Sequence, residues 1–533
     1  EVLTFNVRQL LAQIGVHTPD ANAPGATPAR DFAVGFAEAE DYVRWLGARS
    51  DAVDRWEPLR QASPSGQLSP SGMYFWYRES PRPLLAMATI GRVTEDVPPD
   101  HEPGMVTVRV TPQGRLRHLV VVPSPLRPGE KAEDAEPPAP ANWTPLLTAA
   151  GLMPDMLRPT EPLVVPPVYC DEYVAWEGVF PGQPDIPLRV EAGALAGQPV
   201  FFAVLGPWQL TGDYMAPQRL QRLEGVPASV FVWLSVISIV GGAVLAWRNV
   251  QLGRGDRRGS WRLAAYILAV SVAHWLLMTH HALPMGYEWA LLMLGVGVSL
   301  FMAGWTWLLY MGLEPYVRRW WPDTLIAWSR LLAGRWRDPL VGRDVLYGAI
   351  LGVGTSLLQV LLHLSPRWSG LPPARPMSVP LESLEGVRYA VCAFLATQVG
   401  ACVWPMLAIV LMLLVRMVTR STTTAVVSVA LALTVLHPFG HHHTDRIGMA
   451  IDLAFNLLLV AAWLVVLVRY GLLVCAAGLV FSRTLASSVL TLDLAAWYSG
   501  PALAVLVVLA ALAAHAFLVS LAGRPVLRDA LDG

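Results

Sequence analysis

The stretch LEPYVRRWWPDTLIAWSRLLAGRWRDPLVGRD, residues 313–344, lies between two long apolar runs at 289–313 and 345–364. It contains six arginines, four tryptophans and three prolines. Tryptophan and arginine both suit the lipid headgroup layer, because each combines an apolar body with a polar end. The flanking runs are long enough to cross a bilayer as helices. The stretch therefore predicts a polytopic helical membrane protein with an interfacial segment at 314–343.

The interfacial segment has a helical pattern of its own. Leu325, Trp328, Leu332 and Trp336 recur at spacings of three or four, so one helix here would carry an apolar face. We expect that helix to lie along the membrane surface, and the alternative is a solvated basic loop that only sets topology. The candidate interfacial or partner-binding residues are Arg318, Arg319, Trp320, Trp321, Trp328, Arg335, Trp336 and Arg337.

Further apolar runs indicate how many helices cross the membrane. The chain is 54% hydrophobic, and its long uncharged runs begin after residue 226. They fall at about 227–247, 262–280, 289–313, 345–364, 387–415, 421–437, 447–468 and 501–522. These runs predict a transmembrane domain over 227–533 with about eight helices. The range is seven to nine, because the sixth run is short and 447–481 is long for one span.

Residues 1–226 have the pattern of a soluble α+β domain with hairpins. Short helices are predicted at 6–15 and 36–50, and a strand at 73–80. Alternating runs predict one hairpin over 105–123, around turn residues 111–114, and a second over 188–208, around 193–198. Aromatic residues in this domain either fill its core or line a binding cleft: Tyr74, Phe75, Trp76, Tyr77, Trp176 and Trp208.

The positions of the arginines predict an orientation. Arginines crowd the loop at 248–262, the segment at 314–343 and the loop at 416–420. Loops rich in arginine face the cytoplasm, so these should be cytoplasmic. By parity, residues 1–226 should be extracytoplasmic.

Composition excludes several functions. The formal net charge is -1, and the basic residues do not form one patch, so we expect no nucleic-acid partner. All 39 basic residues except Lys131 are arginine, and Lys131 lies in a proline-rich loop, which excludes a Walker A loop and a kinase strand lysine. The four cysteines are scattered, so no disulfide framework or CxxC zinc site is predicted.

Histidines supply the one candidate metal site. HPFGHHHTD at 437–445 could hold a transition metal through His441, His443 and Asp445, and the alternative is a structural turn. Otherwise we predict no cofactor. Single histidines in or near the spans could ligate a tetrapyrrole but are more often packed in a core: His274, His280, His281, His363 and His515.

A resemblance adds to this interpretation. Residues 313–344, FWYRESPRPL at 75–84, PPVY with AWEG at 166–178, and LRVEAGALAGQPVFF at 188–202 resemble the membrane-bound C-terminal portion of bacterial serine/threonine protein kinases. The resemblance implies an upstream kinase domain, an outer domain and a multi-span region, in a protein of the bacterial inner membrane. No Gly-rich loop, VAIK-type lysine, HRD or DFG motif occurs here. Because the chain begins with Glu1, we expect a longer or processed gene product or a relative without a kinase domain.

Three functions follow from these patterns. The first is a non-catalytic sensory or anchoring portion that binds a ligand or partner outside and relays or scaffolds through the bilayer. The second is an accessory structural subunit of a larger membrane complex. The third is a CAAX-type intramembrane metalloprotease, suggested by Glu314 with Arg318, Phe439 with His443, and Asp452 with Asn456. The expected partners are the lipid bilayer and either an upstream kinase domain or proteins of a membrane complex.

Overall fold

The computed structural model divides the chain into two compact units. Glu1–Pro217 together with Thr279–Leu292 form the first, which we call the sheet unit. Gln218–Met278 and the chain from Met293 onward form the second, the helical unit. The structure describes residues 1–16, 30–49, 54–60, 67–123, 140–210, 217–282, 284–368, 373, 375–376, 379–436, 446–491 and 493–522.

An antiparallel sheet of eight strands forms the first unit, in the order β1-β2-β3-β4-β8-β7-β6-β5. The strands are β1 (Asp31–Glu38), β2 (Met73–Ser80), β3 (Val106–Val110), β4 (Leu116–Val121), β5 (Arg158–Thr160), β6 (Glu172–Phe180), β7 (Gln183–Leu195) and β8 (Gln198–Leu205). The helices are α1 (Val2–Gln13), α2 (Glu40–Arg49), α3 (Glu57–Arg60), α4 (Thr144–Ala150) and α5 (Pro207–Leu210). The α+β class predicted from the sequence is therefore present.

Both predicted hairpins are confirmed, as β3–β4 and β7–β8. The strand predicted at 73–80 is β2. The helix predicted over 36–50 is wrong at its start, because Phe36 lies in β1, where it pairs with Phe75. The helix begins at Glu40 instead. Whether a short segment like this one folds as a strand or a helix depends on pairing with a neighbouring strand. Here that neighbour is β2, which is distant in sequence.

One face of the sheet carries the core of this unit. Apolar side chains from the strands pack there against α1, α2 and α4. Phe75, Tyr77 and Trp208 belong to this core, and Trp76 is also buried. Tyr74 and Trp176 are partly buried. Most of the aromatic residues that could have lined a cleft are therefore core residues.

Thr279–Leu292 returns to the sheet unit after two long helices. The His280 backbone N–H donates to the Gly91 carbonyl at 2.7 Å, and His280 Nε2 lies 2.8 and 2.9 Å from the Asp31 carboxylate oxygens. The Ala86 N–H donates to the Tyr287 hydroxyl at 2.9 Å. These three contacts attach Thr279–Leu292 to the rest of the sheet unit.

The helical unit is built from long apolar helices. They are α6 (Pro217–Gln251), α7 (Arg257–Met278), α8 (Met285–Trp320), α9 (Ile326–Leu332), α10 (Pro339–Trp368), α11 (Val387–Thr419), α12 (Thr422–Leu436), α13 (Arg446–Tyr470), α14 (Leu472–Ala486) and α15 (Ser499–Ser520). In the described part of the chain, seven of these are long and apolar enough to cross a membrane. By length and composition the chain is a membrane protein.

Two further apolar helices, α12 and α14, are shorter, with 15 residues each. At 1.5 Å per residue they are each about 22 Å long, less than the apolar thickness of a bilayer. The long run predicted at 447–481 is split at Gly471, which has a φ of 110° and separates α13 from α14. Among the described residues, the seven helices long and apolar enough to cross a membrane and the two shorter ones agree with the predicted range of seven to nine.

A proline inside α8 is compensated by a side chain of α6. Pro315 has no N–H, so it cannot donate to the carbonyl of Met311 four residues earlier. The Asn249 amide instead donates to the carbonyls of Met311 at 3.0 Å and Gly312 at 3.1 Å. Asn249 is 2% exposed. This contact fixes α6 against the end of α8 where residues 313–344 begin.

The close packing of α10 on α14 depends on glycines. Gly348 and Gly352 are four residues apart, and a Cβ at Gly352 would lie 2.4 Å from the Gly478 carbonyl oxygen. A Cβ at Gly348 would lie 2.5 Å from Ala477 Cβ. Small residues at this spacing allow helix backbones to approach closely in membranes. The GAILG sequence at 348–352 carries that signal.

Candidate functional site

Residues 313–344 do not form one surface helix. They contain the end of α8, a 3₁₀ turn at Pro322–Leu325, α9 and the start of α10. The helix expected from Leu325 to Trp336 is wrong at its C-terminal end, since α9 ends at Leu332. Gly334 follows with a φ of 83°, outside the helical region. Trp336 is therefore not on the same helical face as Trp328.

Two of the candidate interfacial tryptophans are buried within the helical unit. Trp328 is 3% exposed and Trp321 is 8% exposed, and both belong to the main helical core. The Arg416 guanidinium carbon lies 4.8 Å from the Trp320 ring centre and 5.0 Å from that of Trp321. These rings contact the protein's own helices, and tertiary packing explains their presence.

The same residues connect several helix ends. Thr324 Oγ1 donates to the Val468 carbonyl of α13 at 3.2 Å. The Arg262 guanidinium donates to the Leu332 carbonyl at 2.9 Å. A Cβ at Gly342 would lie 2.6 Å from the carbonyl oxygen of Ala516 in α15. The stretch is thus a packing centre for α7, α13 and α15 as well as a link between α8 and α10.

Other candidates in the stretch are exposed. Arg318, Arg319, Arg335, Trp336 and Arg337 all have exposed side chains. Arg318 forms an ion pair with Glu314 one turn earlier, Arg337 lies 4.4 Å over the Trp336 ring, and Trp336 also stacks on His515 at 5.4 Å. We call these five residues the arginine–tryptophan patch. Its side chains are accessible at the surface of the helical unit.

These contacts define an arginine-rich end of the helical unit. The C-terminal ends of α8, α11, α13 and α15 meet there, together with the N-terminal ends of α7 and α10. The arginines in the described part of this end include Arg258, Arg262, Arg343, Arg416 and Arg469. Because α13 ends and α14 begins at this end, α14 leads away from it and α15 returns.

The predicted metal ligands His441, His443 and Asp445 lie outside the described residues, as does the rest of 437–445. Among the residues that are described, no three His, Cys, Asp or Glu side chains come together as a metal site requires. His274 Nδ1 lies 3.1 Å from the Cys392 carbonyl oxygen, and His281 Nδ1 lies 3.0 Å from Glu288. Protein groups thus contact these histidines, as they do His280 and His515.

The residues that suggested a protease are engaged locally. Glu314 is 3% exposed and pairs with Arg318 in the same helix. Asp452 is 4% exposed, and the Asn456 side chain donates to its backbone carbonyl at 2.9 Å. Phe439 and His443 lie outside the described residues. Each described pair is an intrahelical contact one turn apart.

The sheet unit contains an open groove of about 650 Å³. Helices α1 and α4 and the β3–β4 hairpin form its walls. Its polar lining is largely uncharged: Asn6, Gln9, Gln13, Asn142, Thr144 and Thr148, with Arg115 as the charged member. Amides and hydroxyls of this kind hydrogen-bond a neutral polar ligand or an extended peptide. No periodic pattern in the sequence predicts this groove, because its walls are far apart in the chain.

The other face of the sheet carries buried ionic contacts. Arg78 is 0% exposed and donates to the Thr94 carbonyl at 2.9 Å and to Asp100 at 2.6 Å. Arg189 pairs at 2.6 Å with both Glu177 and Glu191. Both arginines also donate to loop carbonyls over the sheet, Arg78 to Pro98 and Arg189 to Glu161. They are structural.

A third group on this sheet contains an acid in an unusual state. The Tyr74 hydroxyl donates to Glu95 at 2.7 Å, and Arg109 forms an ion pair with Glu95. Burial raises the pKa of Glu95, and the nearby Arg109 charge opposes that rise. Burial and the Arg109 charge both lower the pKa of His118, which stands opposite Arg109 in the β3–β4 ladder.

Arg117 is the most unusual charged residue of the sheet unit. It is the extra residue of a β-bulge, since Arg109 pairs with His118 and Val110 pairs with Leu116. Arg117 is 8% exposed, and burial lowers its pKa to about 10. Sequence reasoning missed it, although an arginine and a histidine inside the apolar strand LRHLVV were a visible signal.

No protein-family model, curated protein or solved structure matches this chain.

Proposed function

We propose that this chain is the non-catalytic membrane portion of a signalling protein of the bacterial transmembrane serine/threonine kinase type. The sheet unit binds a ligand or partner, and the helices anchor it and relay the bound state. The observation that carries this proposal is that the sheet unit is discontinuous in sequence. It contains Thr279–Leu292 as well as Glu1–Pro217.

A unit that is discontinuous in sequence can transmit a change in the sheet unit to several helices. Thr279–Leu292 directly follows α7 and includes the first residues of α8. The sheet unit is thus covalently joined to the helices at α6, at α7 and at α8, whereas a simple anchored domain needs one connection. A ligand that changes the sheet unit would act on the ends of three helices, provided that it binds the two states with different affinity.

The arginine-rich end supports an orientation for this proposal. Arginine excess marks cytoplasmic ends of helices, so this end faces the cytoplasm of a bacterial inner membrane. α6 leaves the sheet unit and reaches its Arg248 end after one span, and α8 reaches Arg318 in the same way. By chain order, the sheet unit is extracytoplasmic and the arginine–tryptophan patch faces a cytoplasmic partner.

Cysteine labelling tests the orientation. In a Cys170→Ser background, one cysteine is placed at exposed Arg82 of the sheet unit or at exposed Arg335 of the patch. An impermeant maleimide added to intact spheroplasts should label the first and spare the second until the membrane is opened. Labelling of position 335 but not 82 in intact cells would reverse the topology and remove the sensor proposal.

Hydrogen exchange of the full chain in nanodiscs tests the relay. Asp31→Ala removes the carboxylate that holds His280, and we expect faster exchange both in Thr279–Leu292 and in the adjoining last turns of α7. Asp171→Ala is the matched control, because Asp171 accepts the Ala196 N–H at 2.7 Å in the exposed β7–β8 turn. If Asp31→Ala loosens Thr279–Leu292 but leaves α7 unchanged, the segment is a passive link.

The kinase connection has a separate test, which is the reading frame upstream of residue 1. A kinase domain encoded there supports the proposal. Its absence, together with recovery of this chain in a defined complex under mild detergent, would favour an accessory structural subunit.

A further inference from the structure

A short loop of the sheet unit, residues 84–91, carries large apolar side chains that its own fold does not bury. We call it the apolar loop. Its exposed members are Leu85 and Met87, each 41% exposed, and Ile90, 39% exposed. Leu84 and Ala86 alternate with them and are buried in a small core of the sheet unit. The apolar loop is therefore anchored from within, while its other apolar side chains point away from that core.

The apolar loop is fastened to Thr279–Leu292. The Thr279 hydroxyl donates to the Ile90 carbonyl at 3.3 Å. A Cβ at Gly91 would lie 2.4 Å from Thr279 Cγ2 and 3.2 Å from Leu291 Cδ1, so the two backbones approach closely there. Two further hydrogen bonds join residues 86 and 91 to the same segment. Ile90 has a φ of 55°, which a β-branched residue rarely adopts, and such a conformation persists where contacts around it fix it.

The residues that hold the apolar loop lie at the ends of two candidate membrane spans, α7 and α8. The apolar run 262–280 ends with these residues, and the run 289–313 begins beside them. As a helix, the second run is about 37 Å long. This exceeds the hydrocarbon core of a bilayer, about 30 Å, but not the full thickness with headgroups, about 40 to 45 Å. Trp289, its first residue, therefore belongs to the headgroup layer, where tryptophan is enriched.

The first turns of α8 expose an apolar face beside the apolar loop. Met285 is 82% exposed, Trp289 is 63% exposed and Met293 is 49% exposed, at a spacing of four residues. Tyr287 and Leu291, which meet the apolar loop, are buried instead. Lipid covers the exposed apolar face of a spanning helix, and the apolar loop extends that face at the membrane boundary. Its surroundings are therefore those of a lipid contact.

We propose that the apolar loop is a membrane contact of the sheet unit. Leu85, Met87 and Ile90 enter the boundary between the headgroups and the acyl chains of the adjacent leaflet, and the partner is the lipid surface itself. The contact fixes the sheet unit to the bilayer in addition to its covalent links to the helices. This inference goes beyond the proposed sensor role, and it holds on whichever side of the membrane the sheet unit lies.

Fluorescence quenching by lipids tests this proposal on the full chain in nanodiscs. In a Cys170→Ser background, in which the three remaining cysteines are buried, Met87→Cys carries an environment-sensitive fluorophore. We expect blue-shifted emission, and a loss of emission when the nanodisc contains lipids with a doxyl quencher near the headgroup end of the acyl chain. A quencher near the end of the acyl chain should act more weakly, because the apolar loop enters only the boundary layer.

Met153→Cys is the matched control, because Met153 is a methionine of the same unit that is 61% exposed and lies outside the apolar loop. A fluorophore there should emit as it does in water and should keep its emission with either quencher lipid. Equal quenching at positions 87 and 153 would show that the fluorophore itself seeks the lipid, and it would overturn the contact.

Leu85→Cys covers the case in which Met87→Cys does not fold, and we expect the same quenching from it. Emission as in water from a labelled apolar loop overturns the proposal. Blue-shifted emission that neither lipid quenches would show that protein covers the apolar loop, and it overturns the proposal as well. The cysteine labelling of positions 82 and 335 reports the side of the membrane and not this contact, so the two proposals can fail separately.

Discussion

At the scale of single residues, buried polar side chains fix parts of the backbone by hydrogen bonds to distant carbonyls. Arg78 and Asn249 are both almost fully buried, and both donate to backbone carbonyls that are distant in sequence. Arg78 holds a loop against the sheet, and Asn249 donates to the Met311 carbonyl, to which Pro315 cannot donate. Removing such a donor leaves a buried carbonyl unsatisfied, which costs more than the hydrogen bond contributes.

Arg78→Ala should lower the free energy of unfolding by about 3 to 5 kcal/mol, because Asp100 and the Thr94 carbonyl lose their donor. Arg82→Ala is the control, since Arg82 is 74% exposed in its pair with Glu102. The control should change stability by less than about 0.5 kcal/mol. Denaturant unfolding of the full chain in detergent, followed by exchange of β2 amides, measures both. Equal effects would contradict a holding role for Arg78.

Asn249→Ala should destabilise the helical unit by about 1 to 3 kcal/mol. Pro315→Ala shows whether this loss of stability comes from the missing N–H at the proline, because it restores an N–H that reaches the Met311 carbonyl. In the Pro315→Ala background, Asn249→Ala should cost clearly less. A double-mutant cycle on thermal stability in detergent measures the difference. Additive effects would show that Asn249 does not compensate for the proline.

His118 predicts a pH dependence. Burial and the Arg109 charge hold its pKa well below the ordinary 6.5, so the folded state keeps it neutral. Its contribution to stability is therefore fully present above pH 6.5 and is lost as the pH falls below that value. The loss approaches about 1.4 kcal/mol per pH unit. Stability measured from pH 7.5 to 5.5 should fall less steeply in His118→Phe than in the wild type, whereas exposed His101→Phe should keep the wild-type slope.

At the scale of elements, helix packing depends on a few small residues. α10 carries Gly352 against α14, and it also carries Gly354, which has nothing within 4 Å of an added Cβ. The two positions are in one helix and differ only in what they face. Patterns of apolar residues show that a helix exists, but the face that it packs is set by its neighbour.

Gly352→Ala should destabilise the helical unit by about 1 to 3 kcal/mol, since its Cβ would meet the Gly478 carbonyl. Gly354→Ala should be neutral or stabilise by up to about 1 kcal/mol, because alanine is the better helix former. Thermal denaturation of the two variants in detergent makes the comparison. A larger loss in Gly354→Ala than in Gly352→Ala would contradict the packing of α10 on α14.

At the scale of the whole molecule, arginines are concentrated at one end of the helical unit. Replacing Arg318, Arg319, Arg335 and Arg337 together by Ala removes exposed charge without touching Trp321 or Trp328 in the core. We expect the helices to fold but the labelling pattern of the topology experiment to become mixed. A uniform wild-type pattern with loss of a bound partner would instead assign these arginines to partner binding.

The sequence by itself determined the membrane class, the number range of the helices and the two hairpins, because hydrophobic run length and alternation are local properties. Only the tertiary structure decided that Phe36 belongs to a strand, that Trp321 and Trp328 are core residues, and that 279–292 joins the sheet unit. Each of these depends on contacts between residues far apart in the chain, and no local pattern encodes the burial of a side chain by a distant element.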